Sequence, residues 1–228
     1  MSEPILRASA AGIEPFRGDG SVAALDRLLG AGGTWELEIG FGKGRFLLAS
    51  AAAHPERRYL GIEVAGEYFR LAAGRLARRR LHNLVLLRGD ALAILAARLP
   101  RGFAAVVHVY FPDPWPKKRH LKRRLFSPSS IDLLLAALAP GGRLDFATDY
   151  LDYGRDVEAL LGRHPGVRVE RLADGWPEGP RTNYEAKYVR EGRPILRLSA
   201  MSALGAVTLH PGADRELAVA SSAARAEA

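Results

Sequence analysis

Trp35-Glu36-Leu37-Glu38-Ile39-Gly40-Phe41-Gly42-Lys43-Gly44 reads as a strand that ends in alternating glycines. It opens at once into an apolar helix, Arg45 to Ala53, closed by His54-Pro55. Glycines at such a junction let the backbone approach a ligand closely and take conformations that side chains disfavour. In open α/β sheets the ligand lies beyond the carboxyl ends of the strands, which is where this junction would sit. The dinucleotide fingerprint places glycines at its first, third and sixth positions. Here the third glycine falls at the fifth.

Outward from that junction the chain alternates. Strands are predicted over Thr34–Ile39, Arg58–Val64, Asn83–Leu87, Phe103–Tyr110 and Arg143–Ala147. Between them the periodicity predicts helices over Ala65–Arg80, after Asp90, and over Ser127–Leu138, the last stopped by Pro140-Gly141-Gly142. A helix over Tyr153–Leu161 and strands over Val167–Leu172 and Pro194–Leu198 complete the pattern, with a short amphipathic helix over Ser21–Gly30 ahead of it. Such alternation implies an α/β, Rossmann-like fold with helices on both faces of a mostly parallel seven-stranded sheet. The two late strands supply an antiparallel edge. Residues 1–20 are expected to form an N-terminal arm, 21–199 the domain, and 200–228 a disordered C-terminal tail poor in periodicity.

The 228 residues, 48% hydrophobic and 25% charged, suffice for one large α/β domain with a full core. No cysteine is present, which excludes disulfides and thiolate zinc sites and fits a cytoplasmic location; no metal is expected. No membrane span or signal peptide is read. Thirty-three basic residues against 25 acidic ones give a net charge of +8, which points to a polyanionic partner.

Acids recur at the predicted strand ends: Glu38 before the glycines, Glu63 at the second strand's end, and Asp90, followed by Ala91, after the third. An acid on the second strand is placed to accept ribose hydroxyls, and one after the third to accept from an adenine amine. A pocket rich in carboxylates favours a ligand carrying a sulfonium and an ammonium and repels one rich in phosphates. The glycine spacing agrees, so S-adenosylmethionine is the expected cofactor, held by Glu38, Gly40, Gly42, Gly44, Glu63, Asp90 and Ala91. No Walker-type loop supports nucleotide hydrolysis.

The fourth strand runs into His108-Val109-Tyr110-Phe111-Pro112-Asp113-Pro114-Trp115-Pro116, whose prolines fix the dihedrals around Asp113. Next comes Lys117-Lys118-Arg119-His120-Leu121-Lys122-Arg123-Arg124, six full positive charges in eight residues, a run best relieved by phosphates. Farther on, Arg181-Thr182-Asn183-Tyr184-Glu185-Ala186-Lys187-Tyr188 mixes hydrogen-bonding and aromatic groups able to hold a splayed base. Asp149 leaves the fifth strand at the same end.

From Trp35 through Leu198 the chain resembles the bacterial tRNA (guanine-N7-)-methyltransferases, which are class I S-adenosylmethionine-dependent methyltransferases. Pro112-Asp113-Pro114-Trp115-Pro116-Lys117, the basic run behind it and Thr182-Asn183-Tyr184-Glu185 carry the resemblance. It implies a tRNA substrate, methylated at N7 of the variable-loop guanine. Asp113 would contact the cofactor and stand at the catalytic centre. Lys117, Asp149, Thr182, Asn183, Tyr184 and Glu185 would hold the nucleotide; Arg119, His120, Lys122, Arg123 and Arg124 would meet the RNA. Asn183 departs from the family, which often has lysine there. Another RNA or a small molecule as acceptor, or a noncatalytic RNA-binding role, are the alternatives. A monomer or homodimer is expected, with no obligate protein partner.

Overall fold

The computed structural model describes residues 5–16, 21–29 and 34–202. Among the described residues nine strands form one sheet, in the order β2-β1-β5-β4-β3-β6-β7-β9-β8. The centre is parallel: β3 (Trp35–Ile39) pairs with β4 (Arg58–Glu63) and with β6 (Ala104–Tyr110). Strand β5 (Leu84–Arg88) continues the parallel sheet beyond β4, and β7 (Leu138–Thr148) beyond β6. β9 (Leu196–Ser202) runs antiparallel to β7 and to β8 (Val167–Arg171) at the edge.

The expected seven strands are therefore present, and two more precede them. β1 (Leu6–Ser9) and β2 (Gly12–Pro15) form a hairpin whose first strand lies antiparallel on β5. The N-terminal arm expected for residues 1–20 is thus sheet where it is described. Its turn, Ala10-Ala11, lacks the asparagine or aspartate–glycine pair that marks a hairpin, so nothing local announces it. Pro15 is tolerated because β2 is an edge. At the other end β9 continues three residues past the expected limit at Ser199; the rest of the anticipated tail, 203–228, lies outside the described residues.

Helices cover both faces. On one, α2 (Arg45–Ala53) and α3 (Gly66–Arg79) pack on β4 and β5, with Phe69, Ala72, Ala73 and Leu76 spaced to turn a single stripe of α3 inward. On the other lie α1 (Val22–Leu29), α4 (Ala91–Arg98), α5 (Ile131–Ala136) and α6 (Leu151–Arg163). The predicted helix over Ser127–Leu138 keeps only this central part. Leu138 already pairs with Ala104, so strand pairing ends it before the Pro140-Gly141-Gly142 signal. Among the described residues no helix is long and apolar enough to cross a membrane.

Gly61 shows how tightly the α2 face is packed: a Cβ there would lie 2.4 Å from Leu47 Cδ1 and 2.7 Å from Phe41 Cδ1. Gly61→Ala is expected to lower the unfolding free energy by about 1–3 kcal/mol in urea titrations, from overpacking. A midpoint equal to wild type would show that the side chains yield freely.

The strand order also positions the functional end. From β3 the chain moves outward one way through β4 and β5, then returns to the other side of β3 for β6 and β7. Ligands bind at the carboxyl side of such a reversal. The exits of β3 and β6 are consequently neighbours, and the glycine turn meets the proline loop.

Candidate active site at the carboxyl rim of the sheet

Behind β3 the glycine turn is fixed by three amides. Gly40 N donates to Ile62 O at 2.8 Å, Gly44 N to Phe41 O at 2.8 Å, and Gly42 N to Glu63 Oε2 at 2.8 Å. Gly40 and Gly42 hold φ of +74° and +51°, and a Cβ on either would meet nothing within 4 Å. These two glycines thus border open space. Gly44 serves packing instead: a Cβ there would lie 3.0 Å from that of Ala72, where α2 meets α3. Glu63 also accepts from Ala65 N at 2.9 Å, so each carboxylate oxygen takes one amide and keeps acceptor capacity. Asp90 caps α4 by accepting from Ala93 N at 2.9 Å, with Ala91 as the first helical residue.

Glu38 is 3% exposed, and its Oε2 has no hydrogen-bond partner among the described residues. Burial, reinforced by the Glu63 charge, pushes its carboxyl up to about 8 despite the Leu47 amide and Arg181. The folded protein therefore holds a proton that the unfolded chain has released above its ordinary value of 4.5. Ligand-free protein is expected to lose stability as pH rises from about 5 to about 8, and Glu38→Gln to flatten that part of the melting-temperature curve. Parallel curves for the two proteins would refute the assignment.

Sequence reading missed the buried polar row beside it. The register aligns Glu38 with His108, His108 with Asp145, and Asp145 with Ser199 across β3, β6, β7 and β9. His108 and Asp145 are each 1% exposed. Nδ1 of His108 lies 2.7 Å from the Tyr110 hydroxyl and Nε2 2.9 Å from Glu36 Oε2. Burial holds His108 below its ordinary pKa against the pull of Glu36 and Asp145. The neutral ring that fits these partners donates from Nε2 to Glu36 and accepts from Tyr110 at Nδ1. Burial raises the Glu36 carboxyl, but His108 and Arg57 outweigh it and hold it below its usual range.

Arg181 closes the network from the long β8–β9 connection. It donates to Asp145 Oδ2 at 2.8 Å and to the Tyr110 hydroxyl, pairs with Glu178, and lies 4.0 Å over the Trp176 ring. Ser199 Oγ and Arg143 Nε donate to the other Asp145 oxygen at 3.0 and 3.2 Å. The signal in the sequence was polar residues at one phase of otherwise apolar strands, but it becomes visible only once the strands are in register.

At the exit of β6, Phe111 and Trp115 adopt φ of +51° and +39° around the proline loop, and Asp113 is exposed between them. Lys117 leads into a 3₁₀ turn, Lys118–Arg123, on which Lys117, Lys118, Arg119, Lys122 and Arg123 are exposed. His120 packs edge-on against Trp115, and Arg123 lies 5.1 Å over the same ring. Partial desolvation, then the charges of Arg123 and Arg119, lower the His120 pKa. Arg124, expected among the RNA contacts, is engaged within the chain. It donates to Pro114 O and to Asp156 Oδ2, each at 2.8 Å, and lies 4.5 Å over Tyr153. It ties the proline loop to α6, and its side chain is only 12% exposed.

The expected nucleotide-holding segment is partly structural too. Thr182 caps α7 (Asn183–Arg190) by accepting from Glu185 N at 3.0 Å, while Glu185 accepts from Arg181 N at 2.8 Å and Arg197 Nε at 2.6 Å. Thr182-x-x-Glu185 is thus a capping box displaced by one residue, a pattern legible in the sequence and overlooked there. Glu185, expected to touch the nucleotide, is 0% exposed here, with one oxygen on the Arg181 amide and the other on Arg197 Nε. Asn183 accepts from Arg45 at 3.0 Å. Tyr184 is 57% exposed and joins Phe111 and Tyr188 in an aromatic cluster whose centroids lie 5.6–6.3 Å apart. Asp149 is half-buried at the exit of β7, and its charge acts on Tyr188.

Comparison with known proteins adds sequence and fold likeness. The model of a family described as "Putative methyltransferase" matches residues 34–198. A tRNA (guanine-N(7)-)-methyltransferase of Nitrosococcus oceani is 42% identical over 162 residues, 71% of this chain and 69% of that protein. One of Alkalilimnicola ehrlichii is 40% identical over 177 residues, 76% and 75% of the two chains. Among solved structures, the 16S rRNA methyltransferase KamB shares the fold at a TM-score of 0.59 and 18% identity, covering 87% of this chain and all of that one.

Proposed function

The chain belongs to the tRNA (guanine-N7-)-methyltransferase family, and on that premise we propose that it methylates N7 of a guanine in the tRNA variable loop. The observation that carries the reading is the meeting, at one rim, of an acid-lined open turn with an exposed basic turn. The unpartnered Glu38 oxygen and the space before Gly40 and Gly42 fit a cationic ligand. Glu38, Glu63 and the glycine turn would hold S-adenosylmethionine, with Asp90 and Ala91 at the adenine end. When bound, this cofactor supplies an electrophilic methyl group on a positively charged sulfur.

Guanine N7 carries an in-plane lone pair and no proton, so no side chain is needed as a general base. The protein's work is orientation, exclusion of water and electrostatics. Asp113 would accept from the guanine N1 or N2 hydrogens and favour positive charge arriving on the purine ring; adenine presents the wrong edge. Tyr184 and Asp149 would flank the base, Lys117 its phosphate, and the 3₁₀ turn the neighbouring backbone. Ionised Glu38 is the form that suits a cation, so cofactor affinity is expected to rise with pH toward about 8, with proton release on binding.

Incubation with labelled S-adenosylmethionine and unmodified tRNA, followed by borohydride and aniline cleavage, is expected to break the RNA at a variable-loop guanine. Label at an adenine, at another guanine atom, or on no RNA would overturn the reading.

A further inference from the structure

We propose that a cleft between α2 and α3, lined by Arg45, Arg75 and Arg79, binds backbone phosphates of the RNA, on the sheet face opposite the one that anchors the basic 3₁₀ turn. The inference rests on RNA being the substrate and extends the docking surface beyond the proline loop.

The cleft, of about 290 Å³, is completed by Leu48, Ala49 and Asn183. Its three guanidinium groups come from two helices and are aimed by neutral acceptors. Arg45 Nη1 donates to Asn183 Oδ1 at 3.0 Å, Arg75 Nη1 to Lys43 O at 2.8 Å, and Arg79 Nη1 to Leu48 O at 3.4 Å. The last of these is long and weak. Such contacts fix direction while leaving the charge uncompensated. Among the described residues none of the three arginines has a carboxylate within ion-pair distance, although other arginines of the chain, such as Arg57, Arg171 and Arg197, do.

Basic residues near the end of α3 also suit the helix dipole, which accounts for Arg78 and Arg79 taken alone. It does not account for Arg45 at the start of α2, where that dipole disfavours a cation. Nor does it account for Arg75, a turn earlier, reaching across to the glycine turn. Like charges gathered in a concave surface without counterions favour an anion that enters and neutralises them. Phosphodiesters suit guanidinium groups through paired N–H donors.

The place of the cleft fits the same partner. It begins at the rim, because Arg75 holds a carbonyl of the glycine turn and Arg45 holds the first residue of α7. The 3₁₀ turn is anchored through Arg124 to α6, on the other face. An RNA strand with one base at the rim would find cations on both flanks.

The test is Arg45→Gln combined with Arg79→Gln, leaving Arg75 to support the glycine turn. Binding of unmodified tRNA is measured between about 50 and about 200 mM salt, where each lost phosphate contact lowers the log–log slope by roughly 0.7–0.9. The variant is expected to bind tRNA on the order of 10-fold more weakly, with a slope shallower by about 1.5. Its affinity for S-adenosylmethionine by calorimetry should match wild type, and Arg79→Lys should retain most of the tRNA affinity. Wild-type tRNA affinity and slope in the double variant would overturn the proposal, as would a loss confined to cofactor affinity. Failure of wild-type protein to methylate tRNA would instead remove the functional reading itself.

Discussion

Asp145→Ala is expected to lower the unfolding free energy by about 3–5 kcal/mol, the range found when one member of a buried ion pair is removed. Asp145 is 1% exposed and receives Arg181, Arg143 and Ser199. Without it the Arg181 guanidinium, its side chain only 8% exposed, loses its buried counter-charge and keeps Glu178, which is half exposed. The Tyr110 hydroxyl and His108 then face a cation with no compensating anion on that side. For a chain of this length each kcal/mol moves the melting temperature by roughly 2–4 °C, so a fall of roughly 10 °C is expected. Asp145→Asn preserves hydrogen-bond acceptance at one oxygen and should fall between the two. Urea titration of Asp145→Ala within about 1 kcal/mol of wild type would mean that the network contributes little net stability.

The second large effect is on rate. Asp113→Ala is expected to cut turnover on tRNA by about 10²–10³-fold, the scale on which removing one preorganised electrostatic contact to a transition state acts. Asp113→Asn should fall nearly as far, because an amide keeps the size and loses the charge. Cofactor affinity should change far less, and the melting temperature should stay near wild type since Asp113 is exposed and holds no packing together. That separation of rate from stability distinguishes Asp113 from Asp145. Turnover at the wild-type level in both Asp113 variants would remove it from the catalytic centre.

The two cases divide along what each residue touches. Asp113 was singled out from the linear chain because prolines on either side hold its backbone whatever surrounds it. Asp145 reads locally as an acid in a strand, and only the pairing of β6, β7 and β9 sets it among His108, Arg181 and Ser199. Glu38 lies between these extremes. Its place before the glycines was legible, whereas the burial that raises its pKa was not.

Arg124 and Glu185 show what composition leaves open. Each stands in a motif whose composition suggests contact with RNA, yet each side chain turns back onto its own chain, Arg124 to Pro114 and α6, Glu185 to Arg197 and the Arg181 amide. Charge in a run says that a cation is present; its neighbours in space decide whether it faces solvent.

The linear sequence determined the alternation of strands and helices, the glycine turn, the stiff proline loop and the excess of positive charge. These depend on periodicity, backbone restriction and composition, all properties of neighbours along the chain. Tertiary structure alone decided the strand reversal that sets the exits of β3 and β6 side by side, the N-terminal hairpin on β5, the buried row from Glu38 to Ser199, and the arginine cleft between α2 and α3. Each of these joins residues far apart in sequence, and such pairings are fixed by packing and sheet register rather than by any local preference.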